Sequence, residues 1–242
     1  MMTGQIKYVL VLAVFCAVGC GERSARTTPE RQDPVVGAGP HAFANVDDNL
    51  HHDTLLIQTT FDLGDGSFVM VASNVTETFE GLRLYRYRAL SDNSVEMMAI
   101  SSPAYDSWTM LPTFFPTDTT DHTKAFWVLA NFGERESWGQ KLLWSDSSFH
   151  DRGFLSIAYP ERVLEDDTLR LKRRSIAPHV RVALQEDTSY FRFACDSVFV
   201  YADALNGRDS VVSGPSIHYT HHPETGLQLW LNGRIVPQQA PL

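Results

Sequence analysis

Thr54-Leu55-Leu56-Ile57-Gln58-Thr59-Thr60, then Leu63-Gly64-Asp65-Gly66, then Ser67-Phe68-Val69-Met70-Val71-Ala72 reads as strand, turn, strand. β-Branched and apolar residues fill both arms, and Gly and Asp tolerate the positive φ that a tight reversal needs. The same grammar recurs downstream at 82–88, 94–101, 125–132, 140–145, 154–159, 168–174, 179–185, 190–195, 197–202, 216–220 and 227–233. Val180, Val182 and Leu184 share one face of their strand, and Leu227, Leu229 and Leu231 share one face of theirs. Such alternation belongs to antiparallel sheets with one face buried and one wet. Outside the N-terminus no window of helical periodicity reaches ten residues. The expected fold is all-β, an antiparallel β-sandwich or barrel-like domain, with a propeller disfavoured by the lack of an internal repeat.

Composition sets outer bounds. Of 242 residues, 43% are hydrophobic and 20% charged, which is enough apolar surface to bury and excludes a largely disordered chain. The net charge of −9 argues against a broad nucleic-acid surface, which needs clustered Lys and Arg. Three cysteines exclude a disulfide-dense scaffold.

The N-terminus follows different rules. Lys7 is the one charged residue among the first nineteen, and an unbroken apolar run covers 8–18. Eleven helical residues rise about 16 Å, roughly half of a bilayer core of about 30 Å, so the run suits a secretory signal better than a membrane span. It ends Ala17-Val18-Gly19-Cys20. This resembles the lipobox of bacterial lipoproteins, with Ala17 standing where that family more often carries Leu. The resemblance covers only about the first twenty residues. It implies cleavage between Gly19 and Cys20, a diacylglyceryl group on the Cys20 sulfur, and a bacterial cell-envelope address anchored to a membrane. Gly21, rather than Asp, follows the cysteine, and by that resemblance points to the outer membrane. The expected organisation is a signal peptide over 1–19, a lipidated cysteine and flexible linker over 20–52, and a β-rich domain over 53–242. Within that domain, the charged cluster at 160–167 marks an alternative boundary between two small lobes.

Chemistry is less legible. No Gly-x-Ser-x-Gly elbow, Ser-x-x-Lys or phosphate-binding glycine loop is present. Cys195 alternates with Phe191 and Phe193 and is expected to point into the core. His218, His221 and His222 are dense, but residues three apart on a strand face opposite ways, so neither a metal nor another cofactor is expected. The stretch 126–144 reads as two strands joined by a charged loop, 133–139, carrying Glu134, Glu136 and Trp138; Asp106 and Trp108 lie in loop-like sequence upstream, as do the aromatics of 112–116. Tryptophan beside carboxylates suits sugar or peptide binding, so these five are the candidate ligand-binding residues, with a glycan or an envelope protein as partner. The alternative is a glycan-acting envelope hydrolase, whose carboxylate pair would come from Asp106, Glu134, Glu136, Asp146, Asp151 and Glu165.

Overall fold

The structure is a computed structural model that describes residues 37–47, 54–75, 81–91, 94–102, 109–118, 120–121, 123–134, 137–202, 204–205 and 207–237, the side chains of 132–134 and 137–139 excepted. Four antiparallel sheets carry the described chain, none of them closed into a barrel, and no α-helix occurs among the described residues. No helix there is long and apolar enough to cross a membrane.

The first sheet is a meander of β1 (Ala44–Val46), β2 (Leu55–Asp62), β3 (Ser67–Asn74), β4 (Arg83–Ala89) and β5 (Val95–Ile100). A second meander joins β6 (Met110–Pro116), β7 (Phe126–Glu134), β8 (Ser137–Ser145) and β9 (Phe149–Phe154). A third sheet orders β11 (Thr168–Arg174), β10 (Ile157–Glu165), β14 (Ser197–Val200) and β15 (Ser210–Ser213). The fourth orders β12 (Val180–Gln185), β13 (Thr188–Phe193), β16 (Ile217–His222), β17 (Gly226–Leu231) and β18 (Arg234–Val236). Turn chemistry fixes these hairpins: Asp166-Asp167 and Asn232-Gly233 take the paired positive φ of two-residue reversals. In the opening hairpin Gly64 and Gly66 take positive φ on either side of Asp65, whose carboxylate accepts from the Ser67 backbone N–H and hydroxyl.

The second sheet is the middle of the sandwich. Phe126, Trp127, Val128, Leu129 and Ala130 are all buried, which a strand with one wet face cannot manage. Phe114, Phe126, Val128, Ala130 and Leu143 meet Val69, Val71 and Leu84 of the first sheet. Phe115, Trp127, Leu129 and Leu142 point the other way and meet Ile157, Val198, Val182, Phe191, Tyr219 and Leu229 of the third and fourth sheets. Each such fully buried side chain contributes about 1.5–3 kcal/mol relative to exposure. Cross-strand pairing aligns Trp127 with Trp144, ring centroids 4.9 Å apart, and the Trp127 indole N–H donates to Ser189 Oγ at 3.1 Å.

Four expectations change. Residues 37–47, expected within a flexible linker, form an arm that touches three sheets in turn: Ala38 bridges Val182, His41 bridges Phe114, and β1 pairs with β2. Each contact uses one to three residues, too few to leave a periodic signature. Gly37 is required at its start, since a Cβ there would lie 2.8 Å from the Val182 backbone. The 160–167 cluster is no lobe boundary but the end of one continuous hairpin, β10 pairing with β11 from Tyr159 to Glu165. The aromatics of 112–116 belong to β6, an edge strand on which Pro112 and Pro116 are tolerated because no ladder needs their missing N–H. Of the expected inward faces, Val180 and Val182 are buried but Leu184 is 52% exposed. Cys195 lies just past β13, half-buried against the core, its thiol donating to the Ser197 carbonyl.

Candidate functional site

The residues singled out for binding lie largely outside the described set. Gly19, Cys20, Asp106, Trp108 and Glu136 do so altogether. Glu134 and Trp138 are placed by their backbones alone: Glu134 pairs with Ser137 and Trp138 with Gly133. Five of the seven residues read as a loop over 133–139 thus belong to β7 and β8.

The remaining carboxylate candidates are described, and each is occupied. Asp146, in the β8–β9 turn, accepts from the Trp144 indole N–H at 3.2 Å and the Ser148 backbone N–H at 2.9 Å, with His150 Nε2 at 3.1 Å. Partial burial opposes its ionisation, but the Ser148 N–H and His150 outweigh that and hold its carboxyl below the ordinary aspartate range. Ser148 Oγ lies 3.0 Å from the same His150 nitrogen, so serine and aspartate share one ring atom rather than flanking the imidazole as a nucleophile–base–orienter series requires. Asp151 faces Lys141 Nζ at 2.6 Å, and that ammonium also donates to Ser102 Oγ at 3.0 Å. Lys141 is buried, with Phe154 against it at 5.8 Å. Glu165 pairs with Lys172 and Arg170 across the β10–β11 hairpin, and the Lys172 hydrogen bond holds its carboxyl low.

The histidines separate as strand geometry requires. His221 points inward, its ring 5.1 Å from Trp127, while His218 points outward and stacks on Trp230. Burial lowers both pKa values, with Arg152 adding to the effect at His221 and Arg192 at His218. His222 Nδ1 accepts from the Glu224 backbone N–H. Among the described residues no group of three or more metal-ligating side chains converges.

A concavity of about 430 Å³ opens where the second and fourth sheets meet, lined by Thr117, Asp118, Lys124, Ala125, Trp144 and Leu184. The β6–β7 connection forms one wall, held by Asp118 accepting from the Thr120 N–H and hydroxyl and by Asp121 accepting from those of Thr123. The hydrogen bonds from Thr120 hold the Asp118 carboxyl below its ordinary value. Trp144 supplies an aromatic wall braced by Trp127 behind it and Asp146 at its nitrogen. Leu184 supplies exposed apolar area. One carboxylate, one ammonium and one hydroxyl around an indole can orient a polar ligand, and nothing in the lining is arranged as a nucleophile and base. Sequence reasoning placed Trp144 in a strand and Leu184 in the core; no local signal marks their convergence, which the stacking of two sheets creates.

No protein-family model, no curated protein and no solved structure matches this chain.

Proposed function

We propose that this chain is a lipid-anchored binding module of a bacterial cell envelope, held by Cys20 in the outer membrane and engaging a glycan or an envelope protein. The cleft walled by Trp144 and Leu184 is the observation that carries the binding half of this reading. An indole face gives flat apolar contact, while Asp118, Lys124 and Thr117 supply the few directional polar groups that fix orientation. The lipobox-like Ala17-Val18-Gly19-Cys20 supports the anchor. One acyl chain gives marginal attachment, and two or more make it stable.

A hydrolase is the weaker reading. A glycosidase keeps one of its two carboxyls protonated near neutral pH. Among the described candidates, Asp146 and Glu165 are instead held ionised by hydrogen bonds and cations, and Asp151 is paired to Lys141, while the side chains of Asp106, Glu134 and Glu136 lie outside the described residues.

Two measurements test the proposal separately. Cys20→Ala should abolish membrane partitioning, and globomycin should block maturation; unchanged partitioning of the variant refutes the anchor. For the cleft, a screen of envelope glycans and peptides should yield a ligand whose binding Leu184→Glu abolishes. Leu184 is exposed, so the change should leave the thermal melt within about 0.5 kcal/mol of the parent. Ligands that bind the variant equally refute the cleft as the site.

A further inference from the structure

The outer face of the fourth sheet breaks the usual rule for a wet β surface. Strand alternation turns Phe191, Tyr219 and Leu229 into the core and Tyr190, His218 and Trp230 outward. An outward row normally carries Thr, Lys or Glu. Here cross-strand register sets Arg192, His218, Trp230 and Ile235 side by side across four adjacent strands counted from β13, with Tyr190 next to Arg192's row. The His218 and Trp230 rings are stacked within 7° of parallel at 5.8 Å. Tyr190 lies 6.4 Å from His218, and the Arg192 guanidinium sits 5.8 Å over the Tyr190 ring. The Trp230 indole N–H donates to Thr220 Oγ1 at 3.0 Å, which fixes the plane of the ring.

Charge on this face is equally uneven. The chain has 29 Asp and Glu, yet no outward position of β12, β13, β16, β17 or β18 carries one. Arg181, the cross-strand partner of Arg192, donates through Nη1 to the Pro178 and Val180 carbonyls, and Arg192 lies over Tyr190 with no ion pair among the described residues. The result is a rigid aromatic platform with one available guanidinium and no repelling carboxylate.

We infer that this face binds an acidic polysaccharide, its sugar rings laid on Trp230 and a carboxylate gripped by Arg192 beside Tyr190. Flat apolar ring faces match the aromatic surface, and a guanidinium presents paired donors that fit a carboxylate bidentately. Gln228 and His222, on the same face, provide amide and imidazole groups for hydroxyls. A nucleic acid fits less well, because stacking platforms for single strands come with a track of cations along the backbone, and the outward strand positions here offer only Arg181 and Arg192. The site is separate from the Trp144 cleft, so either one can fail without the other.

Calorimetry of the full chain with polygalacturonate tests the inference, with fully methyl-esterified polygalacturonate and a single-stranded oligonucleotide as comparators. Saturable binding of polygalacturonate alone is expected. Arg192→Gln should weaken it about ten- to a hundredfold, as loss of a charge-assisted hydrogen bond does. Trp230→Ala should abolish it, and Leu184→Glu should leave it unchanged. Arg192 is half-exposed, so its variant should melt as the parent does. The inference is overturned by no binding of polygalacturonate, by equal binding of the esterified polymer or the oligonucleotide, or by full affinity in Arg192→Gln.

Discussion

Val128 and Leu129 are neighbours on β7 that face opposite cores, and replacing each in turn tests whether the second sheet is covered on both sides. Val128 is 0% exposed and belongs with Val69, Val71 and Leu84; Leu129 is 1% exposed and belongs with Phe191, Tyr219 and Leu229. Val128→Ala removes two buried methyl groups at about 0.8 kcal/mol each, and the residual cavity brings the expected loss to about 2 kcal/mol. Leu129→Ala should cost about 2–5 kcal/mol by the same reasoning. The two side chains belong to separate clusters, so the double variant should lose about the sum of the single losses, with any coupling carried by the backbone they share. Urea denaturation followed by tryptophan fluorescence measures all three, with the m-value constant if only native packing has changed. A two-layer sandwich would leave one of these residues facing water, and its truncation would cost under about 0.5 kcal/mol. Either single variant falling in that range refutes the three-layer arrangement.

Lys141→Met removes the ammonium between Asp151 and Ser102 while keeping the apolar stem. A fully buried pair would cost about 3–5 kcal/mol to break, but Asp151 is 43% open to water and can rehydrate, so about 1–2 kcal/mol is expected. In a chain of this length that lowers Tm by roughly 2–8 °C in calorimetry; an unchanged Tm removes the pair from the stability of the fold. Acid should act in two stages. Burial depresses His218 and His221, so the unfolded chain takes up protons first and stability falls as pH drops below about 6.5 toward the depressed native values. Asp65 and Asp146 are also depressed, Ser67 and Ser148 outweighing partial burial. Their contribution is present above about pH 3.9 and is lost as pH falls through their lower native values. Melting curves across this range should show both declines, and His218→Gln with His221→Gln should flatten the first; a Tm flat from about pH 7 to 5 refutes it.

Strand content was legible because alternation and turn chemistry are local. The 54–72 hairpin, β12 with its Val180 and Val182, and β17 with Leu227 to Leu231 all stand where the pattern placed them. Layering was not legible. Phe126 to Ala130 carries the signature of a strand buried twice, yet an unbroken apolar run says only that both faces are covered and not by what. Leu184 continues the period of Val180 and Val182 but lies past the edge of the core, where the stack ends. The arm at 37–47 makes contacts of one to three residues, too short for any periodicity to register. The cleft depends on Trp144, Leu184 and Lys124 from three separate elements, and only the stacking of sheets makes them neighbours.

The β10–β11 hairpin of the third sheet has two faces, one leaving Leu164, Leu169 and Leu171 exposed and the other pairing its charges. On one face of the β10–β11 hairpin, Glu161 and Glu165 alternate with Val163 and stand against Lys172 and Arg174, each charge answered across the strands. That is the ordinary solution for an exposed antiparallel face: opposite charges in register, each pair contributing a few tenths of a kcal/mol and keeping the surface hydrated. The fourth sheet, in the same chain and equally antiparallel, uses none of it. Its outward positions hold Tyr190, His218 and Trp230 with Arg192 unanswered, although Glu186, Asp187 and Glu224 occupy the turns immediately beyond the strands. Carboxylates are therefore available to this sheet and are kept to its rim. Solubility alone would favour the opposite distribution, since partly exposed aromatic rings cost hydration. A ligand that covers the rings would offset that cost and give Arg192 the carboxylate it lacks, and that compensation is what favours a binding surface over a plain solvent face.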